Sequence, residues 1–340
     1  TVAAIVKKLH EDKLKSGSEG LVRPVVTWSP GLTLVPTRGC FNACGYCGFR
    51  VPLAAGDPLA DALTEQQAER QLLASPRASE VLLLSGEMAP SSPHRRRWFA
   101  RLLALSRLAL RHGRLPHTNA GPLSVHEMAA LGRLNPSMGL MLEGLGPAYD
   151  ALHRQAPSKA TSVRMAQLEQ AGRLGIPFTT GLLLGVGESQ ADRTAALKML
   201  AAIQGRWGHL QEVILQPWRP TGEAASPLDP QQCDELLDTI AEARSILPPD
   251  VHLQLPPNLW PFDRLVEALE AGIDDLGGID VVDVINPAYG QPLPTRLADH
   301  LARAGWLLRP RLCVHQGWLA WLPPSLRGHA ETLRQQLHCC

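Results

Sequence analysis

The chain has 340 residues, 45% hydrophobic and 19% charged, with a formal net charge of +1. That balance fits a globular protein with one large core or two modest ones, and it lacks the basic footprint of a nucleic-acid or anionic-membrane binder. No apolar run reaches the roughly 18 residues that a membrane span needs.

Residues 1–17 read as a helix with polar breaks, not as a signal peptide, and 1–25 are expected to form an N-terminal extension. With no export signal, the expected compartment is the reducing cytoplasm, where seven cysteines point to metal or redox chemistry before disulfides. Beyond the extension, short apolar or β-branched runs alternate with segments of helical period. The predicted strands are 32–36, 81–84, 114–118, 138–142, 178–184, 212–216 and 251–255, with 281–285 a weaker eighth. The predicted helices are 64–75, 96–112, 124–134, 162–174, 190–204, 230–246 and 262–271. The short basic run His94-Arg95-Arg96-Arg97 heads one of them and reads as a solvated helix face. Alternation of buried-looking strands with helices predicts an α/β fold with a parallel sheet. Seven or eight such units favour a (β/α) barrel, TIM-barrel-like and complete or partial, over 26–290. Residues 291–340 are expected to be a helical extension packed on the barrel, pinned by Trp306, Trp318 and Trp321.

Chemistry in such barrels collects at the C-terminal strand ends. Here those ends are polar: T-R-G-C, S-G-E, H-T-N, E-G, G-V-G-E, Q-P-W-R and P-P-N, in chain order. After the first strand, PTRGCFNACGYCGFR places Cys40, Cys44 and Cys47 in the spacing C-x3-C-x2-C. Structural zinc takes four ligands, usually as two separated pairs, and no second pair follows. Three thiolates on one short loop instead suit three corners of an iron–sulfur cube, with the fourth iron left open. The bland alternative is a loop of unrelated buried cysteines.

This loop resembles the signature of the radical S-adenosylmethionine (SAM) superfamily, C-x3-C-x-aromatic-C, with Tyr46 in the aromatic slot. The resemblance implies one [4Fe-4S] cluster on three cysteines. SAM would chelate the open iron and be cleaved to methionine and a 5′-deoxyadenosyl radical. Ser85-Gly86-Glu87 is similar to the superfamily's GE motif, which receives the SAM ammonium. Glu143 matches the polar residue that contacts SAM at the fourth strand. Arg164 is similar to the arginine that pairs with the SAM carboxylate. The run Gly181 to Glu188, with Gly185 and Gly187, fits the G-x-I-x-G-x-x-E pattern beside the adenine.

The resemblance extends over about 26–287. VTWSPGLTLVPTRGCFNACGYCGFR, LPHTNAGPLS, NPSMGLMLE, HRQAPSK, GIPFTTGLLLGVGES, HLQEVILQPWRP and EAGIDDLGGID are similar to the 7,8-didemethyl-8-hydroxy-5-deazariboflavin (FO) synthase family, CofG-type subunit. One cysteine signature and one barrel's worth of strands match the stand-alone form. The resemblance implies a lyase of deazaflavin coenzyme biosynthesis. Its substrate would be the adduct of a hydroxybenzyl group with a ribityl-aminouracil, supplied by a CofH-type partner subunit or as that enzyme's diffusible product. An electron donor feeds the cluster, and the reaction releases ammonia. The chain departs from the family pattern at Leu276 and at Asp280-Val281-Val282-Asp283.

The remaining polar strand-end residues are candidates for substrate binding or proton transfer. His117 is a candidate acid or base, or a structural histidine. Thr118 and Asn119 follow it. Of Thr179 and Thr180 at most one faces the lumen, and Thr180 is taken as the candidate. Gln216, Arg219 and Asn258 offer amide and guanidinium donors. Asp275 sits with Asp274 in an expected turn before Gly277-Gly278, as a ligand for substrate or as a helix cap. His153-Arg154 and Lys159 line the loop after strand four or lie in solvent. Cys233 and Cys313 read as small buried apolar residues, and Cys339-Cys340 match no motif. Two other readings compete. One is a radical enzyme of the biotin-synthase or menaquinone-pathway type. The other is a non-enzymatic zinc or iron–sulfur protein, which leaves the polar strand ends without a role.

Overall fold

A computed structural model describes residues 23–53, 57 and 59–338. Eight parallel strands close into a barrel: β1 Val25–Leu34, β2 Glu80–Leu84, β3 Leu115–Asn119, β4 Ser137–Gly139, β5 Phe178–Leu184, β6 Leu210–Pro217, β7 His252–Gln254 and β8 Asp275–Ile279. Closure is made by β1 against β8, with Thr27 opposite Asp275, Ser29 opposite Gly278 and Pro30 opposite Ile279. The helices are α1 Glu65–Ala74, α2 Arg95–Arg111, α3 Val125–Gly132, α4 Pro147–Leu152, α5 Thr161–Arg173, α6 Gln190–Trp207, α7 Pro230–Ile246, α8 Leu265–Ala271, α9 Pro294–Arg303 and α10 Pro324–His338. The (β/α) barrel expected from the alternation is therefore the architecture observed.

Local chemistry sets the helix starts. Thr64 with Gln67, Ser124 with Glu127, Ser189 with Asp192 and Asp229 with Gln232 form reciprocal capping boxes, each satisfying two backbone donors that a helix start leaves open. Every residue of β5 is buried, as a parallel strand covered on both faces requires. Aliphatic side chains from the strands and from α2, α3 and α5 to α9 fill the main core.

Four expectations are corrected. First, β1 starts at Val25, not at 32, because its first residues pair with a tail strand, β9 Leu307–Pro310. Second, the eighth strand is Asp275–Ile279, not 281–285. Its two glycines and its aspartate look like turn signals, yet Gly277 takes φ +75° where a Cβ would strike the Gln254 side chain. Val281 is 88% exposed, so the apolar pair that suggested a strand lies at the rim. Third, residues 291–340 are not only helical. After β9, Leu312, Cys313 and Val314 are buried against Leu115, Trp318 and Leu326, so the tail covers the N-terminal end of the barrel. Trp318 is buried and Trp321 is 40% exposed. Fourth, Arg95 does not lie on a solvated face. Its Nε and Nη2 reach Glu127 at 2.9 and 2.7 Å, and its guanidinium lies 5.0 Å from the Trp98 ring centre. The helix expected over 1–17 and the pair Cys339-Cys340 lie outside the described residues.

Candidate active site

The loop that follows β1 carries the three cysteines. Gly39–Cys40 and Val51–Pro52 pair as a short parallel ladder that brings the loop back on itself. Between them the backbone is tied to neighbouring loops: Phe41 N–H donates to Glu87 O at 3.1 Å, Ala43 to Gln155 O at 2.7 Å and Gly45 to Leu152 O at 2.9 Å. Gly86 is what lets the loop lie there. Its N–H donates to Thr37 O at 2.8 Å, and a Cβ at this position would sit 2.2 Å from Gly39 O. Gly86→Ala is therefore expected to leave the barrel folded while displacing the cysteine loop. Iron loading should fall several-fold or more against wild type, with an unchanged far-ultraviolet circular dichroism spectrum; full loading would contradict this packing role.

Cys40, Cys44 and Cys47 are free thiols that line one cavity with Tyr46, Glu87, Glu143, Lys159 and Arg164. Burial raises the pKa of Cys40 and pushes that of Cys44 up to about 11. The loop itself therefore favours thiols, and a bound metal charge is what would hold thiolates there. Three soft donors on one loop fit an iron–sulfur cluster.

Beside the thiols lies a buried ionic network. Glu87 accepts from Asn42 Nδ2 at 2.9 Å, from Arg164 Nη2 at 2.8 Å and from the Ser158 hydroxyl. Burial works to raise its pKa, but the charges of Arg164 and then Lys159 outweigh that and hold it at about 2. Lys159 Nζ donates to Glu143. Burial likewise opposes ionisation of Glu143, and Lys159 followed by Arg164 keeps its carboxyl below the ordinary range. Glu143 has φ 74°, the one positive value outside glycine among the described residues. It is fixed there by its N–H to Gly181 O at 3.0 Å and by Leu183 N–H to its own carbonyl at 2.8 Å. Strained backbone of this kind clusters at functional sites. Arg164 is 1% exposed, and its buried Nε has no protein partner. Tyr46 meets the His153 ring edge-on at 5.7 Å. Lys159, left open by sequence, faces this cavity.

Two other residues expected to bind SAM, Gly185 and Glu188, are placed differently, whereas Ser85 lines the cavity. The Ser85 hydroxyl is engaged within the protein, accepting from Trp98 Nε1 at 3.0 Å and donating to Gly86 O at 2.8 Å. Glu188 folds onto its own loop, accepting from Gly185 and Val186 N–H at 2.8 Å each and from Arg193 Nε at 2.8 Å. Gly185 supplies the φ of +87° that this turn needs. Gly185 and Glu188 shape the turn after β5 and do not line the cavity.

A second cavity occupies the barrel lumen. Leu84, Asn119, Met141, Gln216, Ile285 and Asn286 line both, so the two are chambers of one cleft. His117, Asn119, Gln216 and Asn258 face the lumen chamber, and Arg219 lines the cysteine chamber. Arg219 is held by Leu259 O at 2.9 Å and lies 4.5 Å from the Tyr289 ring centre. Asn258 donates to Asp283 at 2.9 Å, leaving its own buried Oδ1 unpartnered. Ser137 Oγ donates its single hydrogen to Cys313 O at 2.8 Å, so His117 Nδ1, 2.7 Å from that oxygen, is the donor to it. Burial, then the Arg311 charge, lowers the His117 pKa to about 3. The imidazole is neutral, and Nε2 is a free acceptor.

The other lumen candidates are corrected. Thr118 points outward, its hydroxyl donating to Asn135 Oδ1 at 2.8 Å. Thr180 is fully buried and accepts from Leu142 N–H at 3.2 Å, whereas Thr179 faces the lumen. Asp275 is not in a turn. It lies in β8, 0% exposed, bound to Arg311 and away from the lumen lining. The carboxylates that do reach the lumen from this region are Asp280 and Asp283. Sequence reasoning missed Glu80, Glu212 and Arg311 at the lumen's closed end. The available signal was an acidic residue at the head of each of two apolar runs, EVLLL and EVILQ.

Comparison with known proteins agrees with this geometry. Residues 34–200 match the Radical SAM superfamily model. The chain is 49% identical to a 7,8-didemethyl-8-hydroxy-5-deazariboflavin synthase of Synechococcus elongatus, over 90% of this chain and 91% of that one. It is also 49% identical to one from Thermosynechococcus vestitus, covering 91% and 98%. Among solved structures it is similar to the FeFe-hydrogenase maturase HydG of Carboxydothermus hydrogenoformans, with TM-score 0.67 at 17% identity, covering 97% of this chain and 80% of that one. It is also similar to methylornithine synthase (PylB), with TM-score 0.62 at 14% identity, covering 90% and 88%. The structural likenesses bear on the fold.

Proposed function

Since this chain belongs to the 7,8-didemethyl-8-hydroxy-5-deazariboflavin (FO) synthase family, radical SAM enzymes of deazaflavin biosynthesis, we propose that it is a carbon–nitrogen lyase. It takes 5-amino-5-(4-hydroxybenzyl)-6-(D-ribitylimino)-5,6-dihydrouracil to FO with release of ammonia. The observation that carries this is one continuous cleft with a three-thiol chamber at one end and, at the other, a lumen into which polar strand residues project. The chemistry supplied by a bound [4Fe-4S] cluster and SAM is reductive cleavage to methionine and a 5′-deoxyadenosyl fragment that abstracts hydrogen. Cys40, Cys44 and Cys47 would hold the cluster. Arg164 and Lys159, which line that chamber, would hold the SAM carboxylate, while Glu87 and Glu143 orient those two cations. Tyr46 closes the loop side of that chamber. In the lumen, Asn119 and Gln216 stand where the chambers meet and would position the reacting carbon, and Asn258 and Arg219 would bind polar parts of the substrate. A CofH-type subunit would supply the adduct, by direct transfer or by diffusion, and a low-potential donor would supply the electron. No described helix is long and apolar enough to cross a membrane.

The full-length relatives favour this substrate over one of the biotin-synthase or menaquinone-pathway type. The test is an anaerobic assay of the reconstituted protein with reductant, SAM and the partner's product. FO fluorescence and 5′-deoxyadenosine are expected to rise together. Deoxyadenosine without FO would refute the substrate.

A further inference from the structure

The closed end of the lumen gathers three carboxyls around one guanidinium. Glu80, Glu212 and Asp275 are buried, each at most 7% exposed, and Arg311 bonds to Glu212 and Asp275 from the tail segment after β9. Asp275 takes the larger share of the donors. It accepts from Arg311 Nε at 2.5 Å and Nη2 at 2.6 Å, from Gly277 N–H at 2.6 Å and from the Thr27 hydroxyl. Glu212 receives Arg311 Nη2 at 2.9 Å and the Thr179 hydroxyl at 3.1 Å.

Of the histidines packed against this end, His252 is paired with Asp274 and His315 is neutral. His315 is 3% exposed, its Nε2 has no hydrogen-bond partner and lies 3.9 Å from Glu212 Oε2, and burial holds it neutral. It stacks at 3.8 Å on His252, which is bound to Asp274 at 2.9 Å. His117 is neutral, as shown above. Three carboxylates against one guanidinium would leave two uncompensated charges in a buried site, and taking up protons costs less than that. Asp275, with the most donors, stays ionised and pairs with Arg311. Burial outweighs the opposing Arg311 charge and, with the neighbouring carboxylates, raises the pKa of Glu80 and raises that of Glu212 well above the ordinary range.

We propose that Glu80 and Glu212 are held as uncharged acids, and that their hydroxyls, with His117 Nε2 as acceptor, form a recognition subsite for a lactam-type ring edge. Both acids and His117 line the lumen. The hydroxyls donate to a ring carbonyl and His117 accepts a ring N–H. The ring assignment rests on the FO synthase reading, in which the substrate carries a dihydrouracil.

The test uses the full-length, cluster-loaded protein labelled with carboxyl-13C glutamate. Its infrared spectrum at neutral pH is expected to show a label-shifted carboxylic-acid C=O band that fades as the pH is raised. The sign follows from linkage: a carboxyl whose pKa is raised in the fold loses its proton, and the stability tied to it, as pH rises through that value. Saturating the protein with the hydroxybenzyl–ribityl-dihydrouracil adduct should shift the band. In the FO assay, Glu212→Ala should raise KM about tenfold to hundredfold, while Glu212→Gln, which keeps a donor, should stay within about threefold. No labelled acid band, a band unmoved by the adduct, or equal KM values for the two variants would each overturn the proposal. Wild-type protein that makes no FO would overturn the ring assignment, while the band in adduct-free protein would still report whether the acids are protonated.

Discussion

Replacing any one of Cys40, Cys44 or Cys47 by alanine is expected to abolish cluster loading and SAM cleavage while leaving the barrel folded. Two thiolates cannot hold a cube that needs three corners fixed. The apolar clusters that hold the barrel together are built from other residues, so the fold has little stake in these side chains. Iron and sulfide content after anaerobic reconstitution should fall to background in each variant. Circular dichroism and the thermal midpoint of metal-free protein should stay close to wild type. Retained SAM cleavage in any of the three would remove that cysteine from the cluster.

Arg311→Met is expected to be the most damaging substitution for stability, by about 3–5 kcal/mol at neutral pH, because it strands buried carboxyls without their cation. The Asp275–Arg311 pair spans from the eighth barrel strand to the tail, so its loss also weakens the cover over the closed end. Urea unfolding at several pH values checks this. Burial tends to raise the Asp275 pKa, but Arg311 holds it below the ordinary carboxylate range. A depressed carboxyl contributes stability above its unfolded pKa and loses it as pH falls through the folded value. The gap between wild type and Arg311→Met should therefore narrow as pH falls below about 4, the unfolded carboxylate range. A variant as stable as wild type at neutral pH would show that the cluster at the closed end is balanced by something other than Arg311. Arg311→Lys should recover part of the loss, since it restores charge without the two-armed geometry.

The barrel was legible because its strands are buried on both faces and its helices carry clear periods, from β2 to β7. The two elements that close it were not. The start of β1 and the whole of β8 depend on partners far along the chain, Leu307–Pro310 and Arg311, and no local pattern announces an ion pair between residues 275 and 311. The cysteine loop was legible because the spacing of three thiols is itself chemical information. Within the SAM motif, Glu87, Glu143 and Arg164 converge as their order suggested, whereas Glu188 turned inward to structure its own loop. Threonines at 118 and 180 could not be assigned a face without the register of the sheet. Glu80 and Glu212 were not legible as site residues, because a buried carboxyl is costly unless something neutralises it, and that something lies in the tail.

The most direct test of the three-thiol centre is iron and sulfide quantitation on the anaerobically reconstituted wild-type chain, followed by electron paramagnetic resonance of the reduced protein with and without SAM. About four irons with matching sulfide per chain are expected, with a signal that changes when SAM is added because one iron has no protein ligand. Bound zinc without sulfide, or a cluster whose signal is indifferent to SAM, would contradict it.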